Sequence, residues 1–131
     1  MRSSGIRCRE GGSAVVEFAL VLPMLLLLAL AFVQVGLLAR DELLLLQAAR
    51  AGARAAAVDP DDTLVRDTAI RSAPGLDPDR VAIDVRRPGE RGQPVTVTVT
   101  YDAPVRVPMA GWLFPPQVEL RAEATMRQEY P

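Results

Sequence analysis

Catalysis needs side chains that shuttle protons, attack carbonyls or hold metals, and this chain is poor in them. Its 131 residues include no histidine and a single cysteine, which removes the commonest general base and metal ligand. Beyond residue 12 the serines are Ser13 and Ser72, neither in a nucleophile-like setting. The 16 acidic residues are balanced by 15 basic ones, all arginine, for a net charge of −1, so a general basic attraction to nucleic acid has no support. Most carboxylates fall at helix starts or on outward strand positions, where solvated acids belong. Asp61 and Asp62 invite a metal, but a helix N-terminus accounts for acids there. Neither a catalytic residue nor a cofactor, metal or small-molecule substrate is expected.

One carboxylate stands apart. Glu17 immediately precedes Phe18–Ala39, which is 22 residues without a charge and with Gln34 as the only strongly polar side chain. At about 1.5 Å per residue that run is about 33 Å of helix, enough for a hydrocarbon core of about 30 Å. A buried helix of a soluble protein is the alternative, but a chain this short could hardly cover an all-round apolar helix of that length. A carboxylate at the lip of a membrane run is costly and marks a functional site by default; the plainer reading is a charge snorkelling to the headgroups.

The setting of Glu17 decides between them. Gly12-Ser13-Ala14-Val15-Val16-Glu17-Phe18 resembles a class III, prepilin-type signal: a small residue, the cut, four residues, then a glutamate. The wider pattern from Gly12 to Val58 is similar to the amino-terminal region of TadE-like proteins, minor pseudopilins of the tight-adherence (Tad, or Flp) pilus system. The resemblance is strong over residues 9–58 and loose beyond. It implies processing between Gly12 and Ser13 by a prepilin peptidase, and an assembly role for Glu17 and Phe18. The new Ser13 amine of one subunit would meet Glu17 of a neighbour in a low-dielectric setting, where their attraction far exceeds its value in water. The partners implied are that peptidase, other pilins or pseudopilins, the Tad assembly platform and the lipid bilayer.

Charge bias sets the expected orientation. Residues 1–12 carry Arg2, Arg7 and Arg9 against Glu10, and Arg40-Asp41-Glu42 flanks the other end of the run. The positive-inside rule puts the amino end in the cytoplasm and the carboxyl end outside, as a single-pass protein of a bacterial cytoplasmic membrane. Cys8 precedes the apolar run, so a lipoprotein cysteine is not indicated, and cutting after Gly12 would remove it. An ordinary secretory signal is the rival: Ala49-Arg50-Ala51 fits a small-X-small cut, but the apolar run exceeds the usual 7–15 or so residues.

The remaining elements must present this segment. Residues 40–58 are strong helix formers without proline, so one helix is expected from about Ala14 to Val58, softened near Pro23. Ala48, Gly52 and Ala56 form a small-xxx-small face that lets another backbone approach closely; it suits a neighbouring pseudopilin or this protein's own domain. Asp59-Pro60 ends the helix and starts another at about 60–72, with Asp59 as N-cap and Leu64, Val65, Ala69 and Ala73 towards one side. Residues 80–86, 95–101 and 118–127 alternate with a two-residue period. Between the last two strands, Asp102–Pro116 is proline-rich and carries Trp112 and Phe114, suited to capping the core, to the membrane interface or to a partner.

The expected fold is therefore α+β and pilin-like: a long N-terminal membrane-spanning helix continuing outside, a short helix, and a small three-stranded antiparallel sheet. The expected organisation is a leader at 1–12, a span at 13–39, a helical continuation at 40–58 and a domain at 59–131. The functional expectation is a non-catalytic minor pseudopilin. The alternative is a membrane-tethered or secreted extracytoplasmic binding domain using the 102–116 loop.

Overall fold

The computed structural model describes residues 10–89, 92–105 and 115–129. Helix α1 runs Glu10–Val58 and α2 runs Asp62–Arg71; a single 3-10 turn, Pro78–Arg80, leads into strands β1 (Val81–Arg86), β2 (Pro94–Pro104) and β3 (Gln117–Arg127). The strands form one antiparallel sheet in the order β1-β2-β3. This is the expected α+β layout. The chain divides into two compact units, one ending at Val33 and the other beginning at Gln34.

In the first unit the described residues all belong to α1, which passes through Pro23 as helix. Its large apolar side chains are exposed, Phe18, Leu20, Met24 and Phe32 to 61–75%. Among the described residues α1 is the one helix long and apolar enough to cross a membrane; its most apolar window has a mean hydropathy of 2.6 and none of it is buried. Water would not tolerate that surface, and lipid would. The helix has the length and exposure of a single-pass membrane anchor.

The second unit contains the core. Leu45, Ala48, Ala49, Ala53 and Ala56 of α1 pack with Val65 and Ala69 of α2 and with Val95, Val97, Val99 and Tyr101 of β2. The alanines explain the closeness of the layers, since a small side chain lets a helix settle onto a pleated surface. Gly52 makes the point at one position: a Cβ there would lie 3.1 Å from Val97 Cγ1 and 3.3 Å from Ala69 Cβ.

Alternation holds along the sheet, with differences that have physical causes. Val95, Val97, Val99 and Tyr101 are buried, while the inward residues of β1 and most of β3 are only half-buried, because the central strand lies deepest. Thr98 points to the outer face yet is buried; Asp84 and Glu123 flank it across the sheet and exclude water from the middle strand. Strand β2 extends to Pro104, and Val105 N–H donates to the Pro116 carbonyl at 3.1 Å, so the ladder takes both ends of the 102–116 segment.

Two expectations for α2 need correction. The N-cap is Asp61, not Asp59: the Asp61 carboxylate accepts from the Thr63 N–H at 2.9 Å and the Thr63 hydroxyl at 2.7 Å. Asp59 instead accepts the Asp61 N–H at 2.8 Å, because Asp61 is itself still extended (ψ 108°) and helical geometry begins only at Asp62. Leu64 is 45% exposed rather than inward, whereas Val65, Ala69 and Ala73 are buried as expected.

Candidate assembly and membrane segment

Gly12, Ser13, Glu17 and Phe18 all lie within α1 and are exposed. Helical spacing of four residues puts Ser13 and Glu17 on one face, and the Ser13 hydroxyl donates to Glu17 Oε1 at 3.2 Å. The carboxylate thus has one local donor in the turn before it. Phe18 is 61% exposed on the outside of the helix.

Gly12 is informative for what it does not touch. Among the described residues a Cβ at this position would meet nothing within 4 Å, and its backbone is ordinary helix. Glycine inside a helix costs about 1 kcal/mol relative to alanine. Nothing in the packing explains why glycine stands here.

The face of Ala48, Gly52 and Ala56 had two possible occupants, and the structure puts this chain's own domain on it. Ala48 and Ala56 are 1% and 0% exposed, and Gly52 faces Val97, Ala69 and Val65. Close approach is achieved, but to β2 and α2, so this face is not available to a neighbouring subunit. Trp112 and Phe114 lie outside the described residues.

Sequence reading missed two arrangements. Gln34, the polar break in the apolar run, is 8% exposed and lines a small recess with Leu37, Arg40, Asp41, Gly75, Tyr101 and Pro104. There the Arg40 guanidinium lies over Gly75, whose φ of +112° a side chain would strain and whose absent Cβ would sit 2.9 Å from Arg40 Nη2. The only hint in the sequence was a glutamine among leucines. The second is Arg87, whose guanidinium pairs with Asp62 and donates to the Asp59 carbonyl at 3.2 Å. It ties the strand end to the α1–α2 corner, and no local pattern announces a contact between residues so far apart.

Among the described residues no three histidine, cysteine, aspartate or glutamate side chains gather as metal ligands. A shallow recess on the outer sheet face is lined by Arg86, Thr96, Thr98 and Glu123 with the adjoining Arg87, Pro88 and Pro94. It holds one acid and two arginines, with no paired acid and base.

Comparison with curated proteins and with solved structures finds no match. A scan against protein families does find one, described as TadE-like protein, over residues 12–54. The matched stretch lies wholly within α1 and takes in Gly12, Glu17, the exposed apolar run, and Ala48 and Gly52 of the face that carries the sheet. Over residues 12–54, therefore, this chain is similar to the TadE-like family.

Proposed function

We propose that this protein is a minor pseudopilin: a membrane-inserted, non-catalytic subunit that a prepilin peptidase cuts between Gly12 and Ser13 and that joins or primes a Tad-type pilus. The TadE-like segment supports a role in that pilus system. The observation that carries the finer reading is the geometry at the start of α1. A glycine with no packing purpose stands four residues plus one before an exposed carboxylate, and a bilayer-length apolar surface follows at once.

Hydrolysis of the Gly12–Ser13 peptide bond would leave a carboxylate on Gly12 and give Ser13 a free α-ammonium beside its hydroxyl. Within one helix, Ser13 already reaches Glu17 through its side chain. Between staggered helices, the ammonium of one subunit meets the carboxylate of the next. In a low-dielectric bundle each charge satisfies the other, and removing one leaves a buried unpaired charge costing about 3–5 kcal/mol.

Two measurements test this. Mass spectrometry of the protein made beside an active peptidase is expected to find Ser13 as the first residue. A start at Met1 would instead indicate a permanent anchor, and one near Ala51 a secreted binding domain. Glu17→Gln is expected to insert into the membrane normally yet to enter pili poorly; normal piliation by that variant would rule out the charge pairing.

A further inference from the structure

We infer that the hydrocarbon of the bilayer ends at Val33, and that the Gln34 end of the domain abuts the phospholipid headgroup layer. The inference rests on the membrane-anchor reading of α1 and moves its outer boundary. Composition alone carries the apolar run to Ala39. The fold does not allow lipid to follow it that far.

From Gln34 onward, α1 belongs to the folded unit. Gln34 is 8% exposed, and Leu37 and Leu38 are half-buried. The recess around Gln34 is walled by the Asp41 carboxylate, the Arg40 guanidinium, the irregular backbone at Gly75 and the end of β2 at Tyr101 and Pro104. Irregular backbone and charged groups are not tolerated facing lipid, since each unsatisfied polar group there costs several kcal/mol. The acyl chains must stop before this level. Polar headgroups and water meet the same groups without penalty, and Arg40, which forms no ion pair among the described residues, then stands beside lipid phosphates.

A consequence follows at the other end of the span. A core of about 30 Å takes about 20 helical residues. Counted back from Val33, that reaches Ala14, so Glu17 lies about 5 Å inside the hydrocarbon and not at its rim. Its need for a cationic partner is correspondingly greater.

Single cysteines test the boundary in the full chain after Cys8→Ser. Leu26, Phe32, Val35 and Ala39 are all exposed on α1, so cysteine at each leaves the packing intact. Each variant is inserted from outside into preformed phosphatidylcholine vesicles, leaving the domain in the bulk, and treated with a membrane-impermeant maleimide. Leu26→Cys and Phe32→Cys are expected to react at least an order of magnitude more slowly than in detergent, and Val35→Cys and Ala39→Cys within a few-fold of their detergent rates. Protection of Val35→Cys and Ala39→Cys equal to that of Leu26→Cys overturns the inference while leaving the anchor reading in place. Free reaction of Leu26→Cys overturns both.

Discussion

Single atoms decide much at Gly52. With 3.1 Å between its notional Cβ and Val97 Cγ1, even a methyl group needs its neighbours to give by a few tenths of an ångström, and a leucine side chain needs much more. Leucine is a better helix former than glycine, so a loss of stability in Gly52→Leu reports packing alone. We expect a cost of about 1–3 kcal/mol from overpacking, read as a lower urea midpoint with an unchanged slope. Gly12→Ala, which meets no neighbour, is expected to leave the same midpoint unmoved. Asp61 acts through charge. Its carboxyl is held below the usual 3.8, first by the Thr63 hydroxyl and then by the Thr63 N–H. A depressed folded value means that the stabilising contribution is present above 3.8 and is lost as pH falls through the lower folded value. The melting-temperature gap between the parent and Asp61→Asn is therefore expected to be constant near neutrality and to close on acidification below 3.8. A gap independent of pH would assign the effect to helix capping without charge.

At the scale of elements, α1 does two jobs with one pitch. Its first part exposes large apolar residues on all sides, and its last part narrows to alanines and Gly52 on the side that meets β2. Leu45 is the large exception, fully buried where α1 enters the core. Leu45→Ala is expected to cost about 2–5 kcal/mol, measured by the same urea transitions. Arg87 joins the other end of the domain: it pairs with Asp62 at the start of α2 and holds the Asp59 carbonyl just past α1. Asp62 is half-exposed, so solvent screens the pair and Arg87→Gln is expected to cost only about 1 kcal/mol, less at high salt.

For the molecule as a whole, every buried core residue falls between Leu45 and Ala122. The core of the second unit is thus built from that unit's own residues. A chain beginning at Gln34 is expected to fold in water with a melting temperature close to that of the full protein in detergent, while losing membrane association. A molten product would show that the domain needs its anchor. This division suits a subunit in which one part sits in lipid and another is shown outside it.

The apolar run, the carboxylate before it and the two-residue alternation of the strands are local patterns, and local patterns are written in sequence. They determined the long helix, the α+β order of elements, and the candidate segment Gly12–Phe18. Tertiary structure decided what depends on distant partners. It chose this chain's own sheet as the occupant of the Ala48/Gly52/Ala56 face, moved the N-cap from Asp59 to Asp61, and set Arg87 against the α1–α2 corner. It also buried Gln34 and half-buried Leu37 and Leu38 against the domain, because hydropathy counts side chains one at a time, whereas burial depends on which backbone folds back beside them.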